Sequence, residues 1–535
     1  MEYNPARMTA ITHHFNLSDY FLSPERLSAI GENVAIEFSG GRLSYRALGE
    51  TVSHYAERLK ERGVAEGDRV GLLLYDSPLF VAYFLATASI GAISVPMNTA
   101  LSPDDLQFII ADCGARLVIY EADLKGKIHH DGAGTREGCQ FIEVEAEDRA
   151  CRAARAGGQA ASSMLDERAR PLTTEESPAF MLYTSGSTGT PKGALHRHGA
   201  IPRTVDAYAR SVLRLTEDDR IYSSSRLFFA YGLGNSLSFP LAAGARVILD
   251  AERPSAERIA RIFEEQAPTV FFGVPAVYRS LLDLHASSRL LDTTKLRLCV
   301  SAGEALPARI FEDWQSEFKL AILDGIGSTE MLHIFISNTE ADARAGSSGK
   351  LVEGYEARLI DDSGNEVGAN EPGNLWVRGK SATAGYWNRP ELTEATIQDG
   401  WVRTGDIYRR DEKGFFYHVG RSDDCFKVRG LWVSPIEVES ALLEHESVQE
   451  AAVVSATDRD GLATARAFVV IRQEGDGEKI KEELRNFVSS RIAKYKVPSQ
   501  IEFIDEMPRT STGKIQRFKL RAEGYGGTSG GKDDG

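Results

Sequence analysis

Between Tyr183 and Gly193 the chain reads YTSGSTGTPKG, eleven residues with three glycines, two serines, three threonines and one lysine. These types at this spacing suit an anion. Glycines 186, 189 and 193 allow positive φ and close approach, so successive N–H groups can converge on one concavity. The hydroxyls of Thr184, Ser185, Ser187 and Thr188 add donors for phosphate oxygens, and Lys192 adds a mobile cation. A polyphosphate is the predicted ligand. A Walker loop is excluded, because it needs Gly-Lys-Ser/Thr in succession and Thr190 and Pro191 separate Gly189 from Lys192. A flexible Ser/Gly linker is the weaker alternative, since a linker has no reason to end in Pro-Lys-Gly beside the apolar strand Phe180-Met181-Leu182.

More segments with chemistry-bearing residues follow: SAGEALP from Ser301, GIGSTE from Gly325 to Glu330, WVRTGD from Trp401, GRSDD from Gly420 and PRTSTGK ending at Lys514. In this order the set resembles the motifs of the adenylate-forming superfamily, which contains acyl-CoA synthetases, the adenylation domains of peptide synthetases and the luciferases. The resemblance implies that Thr184, Ser185, Gly186, Ser187, Thr188, Gly189 and Lys192 hold the β- and γ-phosphates of ATP. It implies that Thr329 contacts the α-phosphate and that Glu330 helps bind Mg²⁺, an apt role for a carboxylate beside a metal-bridged phosphate. Ala302, Gly303 and Glu304 would lie along adenine, with Asp324, Gly325, Ile326, Gly327 and Ser328 in the second nucleotide segment. Asp406 would accept from the ribose hydroxyls and Arg421 would donate to ribose or phosphate. Lys514 becomes the cation that bridges substrate carboxylate and α-phosphate, Asp423 the hinge of a mobile domain, and Lys427, Arg429 and Gly430 the wall of a coenzyme A channel.

The run Phe228-Phe229-Ala230-Tyr231-Gly232-Leu233-Gly234-Asn235 sets aromatic rings beside glycines. Such a run predicts a flat apolar slot, better suited to a planar ring than to a long acyl chain. Together with Met331-Leu332-His333-Ile334-Phe335 it resembles the benzoate-CoA ligase branch, which implies substrate contacts from Phe229, Ala230, Tyr231, Gly232, Gly327, His333 and Ile334. Buried strand and turn is the alternative for FFAYGLGN. His333 reads either as the polar contact for a ring substituent or as a core histidine. His196 and His198 lack a third ligand for a metal and read as surface or gate residues.

A carboxylate is a poor acyl donor because its leaving group would be oxide. ATP removes that obstacle: the carboxylate attacks the α-phosphorus, pyrophosphate leaves, and a thiol then displaces AMP from the acyl-AMP anhydride. Alignment and charge neutralisation are the work left to the protein. The resemblance therefore implies an ATP- and Mg²⁺-dependent ligase joining benzoate, or a small hydroxy- or amino-benzoate, to coenzyme A. Loading of a carrier-protein thiol is the rival enzyme reading. An inactive nucleotide-responsive regulator is disfavoured by the presence of Lys514, Glu330 and Asp406. PRTSTGK also resembles the acetylation context of related synthetases, which implies a lysine acetyltransferase as a partner at Lys514.

To position these residues the chain alternates helical and strand periods. Ser44 is a predicted N-cap, Leu48, Val52, Tyr55 and Leu59 recur at helical spacing, Gly63 follows as a C-cap, and Val70–Leu74 reads as a strand. Ala256–Glu265 before Val270–Phe272, and Ala308–Phe318 before Ala321–Leu323, repeat the unit. The expected fold is α/β: a large N-terminal domain of helix-covered, mostly parallel sheets with a β-rich lobe (1–422), a small mobile α+β domain (423–525), and a disordered tail (526–535). In the small domain, helices are expected at Pro435–Glu444 and Lys479–Arg491 and strands at Glu450–Ser455, Ala465–Ile471 and Ile501–Ile504. Residues from about 121 to 177 read as an irregular excursion. The uncharged run Ser77–Met97 approaches membrane length, but Gly91 and Pro96 punctuate it and favour a βαβ core segment over membrane contact.

At 535 residues the chain exceeds what one core serves. A net charge of −15 without a basic stripe argues against nucleic-acid binding. Five widely spaced cysteines with no CxxC suggest neither disulfides nor zinc. With no apolar leader at the N-terminus, a cytoplasmic enzyme is expected, as monomer or homodimer.

Overall fold

The uncharged run folds as a βαβ core. Pro78 occupies the first turn of helix Pro78–Ser89, where its missing N–H leaves no bond unmade, and every side chain of that helix is buried. Strand Ile93–Pro96 then lies parallel to Arg69–Leu73. Protein surrounds the helix: Phe84 meets Phe180 with ring centroids 5.5 Å apart, and Tyr83 meets Tyr55 of helix Tyr45–Glu61 at 4.3 Å. Large apolar side chains buried this way contribute about 1.5–3 kcal/mol each, which accounts for the absence of charge without a bilayer. Among the described residues no helix is long and apolar enough to cross a membrane. The computed structural model describes residues 14–39, 41–128, 138–151, 171–185, 190–288, 291–428, 431–457, 462–472, 477–509 and 515–521.

The chain divides into two compact units: residues through Leu306 with Ile310–Glu356 and Val377–Val402, and Pro307–Arg309 with Ala357–Trp376 and the residues from Arg403 on. The first is built on two sheets. One has seven strands in the order Gly385–Tyr386, Pro191–Arg197, Pro178–Ser185, Ile93–Pro96, Arg69–Leu73, Leu117–Glu121, Gln140–Val144. The other has nine, in the order Lys350–Leu351, Ile334–Ser337, Ile322–Gly327, Leu298–Ser301, Val270–Gly273, Arg220–Ser223, Arg246–Ile248, Val34–Phe38, Gly41–Ser44. Ser44 caps helix Tyr45–Glu61 as expected, its Oγ accepting from Ala47 N at 3.2 Å. The irregular excursion needs correction, because Gln140–Val144 is a strand parallel to Leu117–Glu121. Only Val144 of it is fully buried, so this edge strand carries little hydrophobic signal.

In the second unit, strand Trp401–Arg410 pairs antiparallel with Phe416–Arg421. Further on, Val448–Thr457, Ala463–Ile471 and Gln500–Phe503 form a three-stranded sheet, whose core includes residues of helices Pro435–Leu443 and Gly477–Ser489. These five elements match their sequence expectations to within about two residues at each end. The tail 526–535 lies outside the described residues.

Candidate active site

In the first unit the functional segments gather at the carboxyl ends of parallel strands, where open α/β sheets place ligands. Strands Pro178–Ser185 and Pro191–Arg197 form a hairpin in which Thr184 is the cross-strand partner of Lys192. Gly186, Ser187, Thr188 and Gly189 lie outside the described residues, as does the side chain of Ser185. Gly193 departs from expectation: it has no positive φ. It sits in a strand, and a Cβ there would come 2.5 Å from Met181 Sδ, so packing rather than a turn requires it.

Lys192 Nζ donates to the Tyr386 hydroxyl at 2.8 Å, Tyr386 donates to Glu330 Oε1 at 2.5 Å, and Nζ stands 3.9 Å from the same oxygen. The ammonium also lies 4.1 Å from the centroid of the Tyr386 ring. Strand pairing makes this possible, because Gly385 and Tyr386 ladder onto Leu195 and Ala194 and bring a residue remote in sequence to the phosphate hairpin. Two bonds hold the acidic turn itself: Thr383 N donates to Glu330 O at 2.7 Å, and His196 Nε2 bonds Thr329 O at 2.9 Å. Ser328 Oγ closes the turn by accepting from Met331 N at 3.1 Å.

His196 and His198 are not surface or gate residues. Both are fully buried, and burial pushes each pKa down to about 4, so both are neutral. His196 stacks on Phe180, and His198 Nδ1 accepts from Leu17 N at 3.0 Å. Alternate positions of a strand point to opposite faces, so His196 and His198, on either side of half-buried Arg197, share a face, and protein covers it.

The acyl segment is neither strand nor simple turn. Ala230–Leu233 is one helical turn, and Gly234–Ser238 continues it as a π-helical turn. Gly232 permits a close approach: a Cβ there would lie 1.9 Å from Arg226 O. Tyr231 donates towards Gly273 O at 3.3 Å and Val300 O at 3.4 Å, at the ends of two central strands. His333 lies with its ring centroid 5.5 Å from that of Tyr231, 5.5 Å from Tyr208 and 4.5 Å from Phe239. Burial pushes its pKa down to about 3, against a weaker pull from the Tyr231 backbone, so the imidazole is neutral. Gly327 pairs with Ile334 in the adjoining ladder. Phe229, Ala230, Tyr231, Gly232, Gly327, His333 and Ile334 thus fall in one region.

Ala302 is buried after strand Leu298–Ser301, whereas Gly303, at φ 93°, and Glu304 are exposed beyond it. Asp324 is the cross-strand partner of Ser301, and Gly325 and Ile326 follow it into the pairing with Ser337 and Ile336. Burial raises the Asp324 carboxyl well above the usual carboxylate range.

In the second unit Asp406 and Arg421 are cross-strand partners. Arg421 Nη1 donates to Asp406 Oδ1 at 3.3 Å and to Thr404 O at 3.0 Å, and His418 Nε2 stands 3.5 Å from Asp406 Oδ1. Burial works to raise the Asp406 pKa, but His418 and Arg421 outweigh it and hold the carboxyl below its usual value. It is an ionised acceptor, as a ribose diol requires. Asp423 is bracketed by anchored neighbours: Arg421 is tied to Asp406, while Asp424 pairs with Arg521 and, at 3.8 Å, with Arg517. Lys427 falls in strand Phe426–Val428, with its side chain outside the described residues, and Arg429, Gly430 and Lys514 also lie outside them.

Tyr386 and His418 join these sites without having been singled out, and Asn235 had been named only as the end of the acyl run. An aromatic after Gly385 carries no signal of its own, and only the cross-strand register with Asp406 would have pointed to His418.

Two family descriptions match the chain: AMP-binding enzyme over residues 25–387, and AMP-binding enzyme C-terminal domain over residues 437–514. The chain belongs to the AMP-binding enzyme family. Within it, the chain is an acid–thiol ligase of the AMP-forming type. It is 39% identical over 522 residues to a benzoate–CoA ligase of Thauera aromatica, covering 96% of this chain and 97% of that one. It is also similar to the crystal structure of a benzoate CoA ligase from Burkholderia xenovorans LB400, with TM-score 0.86 and 39% identity over 95% of this chain and 100% of that one. The anthranilate CoA ligase AuaEII, solved with anthranoyl-AMP, gives TM-score 0.87 and 36% identity over 95% and 96% of the two chains.

Proposed function

We propose that the chain is an aryl-CoA ligase that converts benzoate, or a small hydroxy- or amino-benzoate, to the aryl-AMP with release of pyrophosphate, then transfers the acyl group to coenzyme A. The observation that carries this reading is the Lys192–Tyr386–Glu330 chain in the same unit as an acyl region lined by Tyr231, Phe239 and a neutral His333. Rings and small residues favour a flat acid over a flexible chain. The two similar ligases named for benzoate, and the one named for anthranilate, support the same substrate class.

In the first step a substrate carboxylate oxygen attacks the α-phosphorus and the bond to pyrophosphate breaks. Lys192 and the phosphate hairpin bind the leaving phosphates, Asp406 holds the ribose, and Lys514 draws carboxylate and α-phosphate together. Glu330 fits Mg²⁺: Tyr386 and Lys192 both address Oε1, so Oε2 is the hard oxygen a metal would take. An ion held by one carboxylate and substrate phosphates needs no protein-only cage of ligands. When bound, Mg²⁺ neutralises charge building on the phosphate oxygens. In the second step the CoA sulfur attacks the acyl carbon and AMP leaves. Rotation about Asp423 carries Lys514 away and brings Lys427, Arg429 and Gly430 to the thiol channel, so 1–422 and 423–525 move as separate bodies. Acetylation of Lys514 by a lysine acetyltransferase removes the charge the first step needs. The five cysteines are free thiols, which fits a reducing cytoplasm.

Pyrophosphate release across benzoate, 2-aminobenzoate, 4-hydroxybenzoate, cinnamate, acetate and octanoate tests the reading. Single-ring acids are expected to lead, and a lead for acetate or octanoate contradicts an aryl site.

A further inference from the structure

A buried hydrogen-bond chain assigns the proton of His333. Ser225 N donates to Ser223 Oγ at 3.2 Å, and the Ser223 hydroxyl gives its one proton to Ser225 O at 3.3 Å. Ser223 therefore only accepts from its remaining neighbour, Asn235, which fixes the amide: Nδ2 faces Ser223 at 3.3 Å. Asn235 Oδ1 is then the atom 3.1 Å from His333 Nε2, and an acceptor there requires Nε2 to carry the ring proton.

His333 Nδ1 is consequently a bare acceptor, buried and without a hydrogen-bond partner among the described residues. A Cβ at Gly234 would lie 2.2 Å from His333 Cδ2 and 2.6 Å from Nε2, so that edge is pressed onto the π-helical turn and Nδ1 lies on the opposite edge. The low pKa of the imidazole denies it a second proton. A buried acceptor left unmet is costly, and a ligand that supplies a donor removes that cost.

We propose that Asn235, oriented by Ser223, is a positioning residue for specificity: it locks His333 in the tautomer whose Nδ1 accepts, so the site selects an aromatic acid bearing a hydroxyl or amino donor at the ring position that reaches Nδ1. This rests on the aryl-acid reading above. Unsubstituted benzoate fits the slot but leaves Nδ1 unmet, and a methyl group in the donor's place does so while filling the space.

Histidine-selective ¹⁵N spectra of the full chain, with His333 assigned from H333Q, read the tautomer with no acyl substrate present. A pyrrole-type Nε2 and a pyridine-type Nδ1 are expected, and the reverse overturns the lock whatever the substrate class. Paired hydroxy- and methyl-benzoates then test selection: at one ring position the hydroxyl should win in kcat/KM by at least ~10-fold, because a polar site rejects an analogue that leaves it unpaired. Asn235→Leu should shrink that ratio to within about threefold. Asn235→Asp keeps the acceptor at Nε2 but favours the imidazolium, so its hydroxyl preference should fall away as pH drops. An unchanged ratio in both variants overturns the role of Asn235. The expected tautomer with no hydroxyl preference at any position overturns the selection, and if Asn235→Leu does not fold, the wild-type spectrum and the Asp variant still decide.

Discussion

Tyr386 stands between a cation and a carboxylate, accepting from Lys192 and donating to Glu330. Hydrogen bonds to charged groups are worth ~1.5–3 kcal/mol each, so Tyr386→Phe is expected to lower kcat/KM for pyrophosphate release by roughly 10–100-fold. Thioester formation from supplied aryl-AMP should change by less than about threefold, since pyrophosphate has already left. An equal loss in both half-reactions would make Tyr386 a structural prop. Lys514→Ala should divide the half-reactions more sharply, abolishing pyrophosphate release while supplied aryl-AMP still reaches CoA; parallel loss of both contradicts the role given to Lys514. The phosphate-loop string could be read from the sequence because glycine, hydroxyl and lysine chemistry is local, although Gly186, Ser187, Thr188 and Gly189 lie outside the described residues. Tyr386 could not be read there, because its role exists only through the ladder that sets it beside Ala194. His196 and His198 misled for a related reason: a polar residue in a strand reads as exposed until the sheet is known to be covered.

At the scale of elements, Asp423 lies between an upstream strand held through Arg421–Asp406 and a downstream segment held by Arg517 and Arg521. Proline at 423 fixes φ near −65° and should slow the CoA step more than adenylation. Single-turnover rates for each half-reaction check this, and normal rates in both would move the pivot elsewhere. Helices and strands with strong periodicity, such as Tyr45–Glu61 and the elements of the small domain, were readable to within a turn. The acyl segment was readable in composition but not in form. Its glycines look like breakers, yet they lie within helical turns because Arg226 O and the His333 ring leave no room for a Cβ.

For the whole molecule, buried neutral histidines make acid the sensitive direction. His196 has its pKa lowered from 6.5 to about 4, so the unfolded chain binds a proton that the folded chain refuses. The stability involved is whole above pH 6.5, falls as pH drops towards 4, and amounts to ~3 kcal/mol for this residue. Asp76, pushed up to about 6 by burial, acts oppositely and loses stability as pH rises from 3.8 towards 6. Urea midpoints between pH 7.5 and 4.5 should therefore fall less steeply in His196→Gln than in the parent, and parallel slopes would contradict a neutral buried His196. The two-step ligation itself is tested most directly by mixing stoichiometric enzyme with ATP, Mg²⁺ and benzoate and quenching for mass analysis. Without CoA, enzyme-bound benzoyl-AMP should accumulate to about one equivalent, and added CoA should convert it to benzoyl-CoA with release of AMP. Formation of ADP and phosphate, or of thioester with no aryl-AMP before it, would contradict the account.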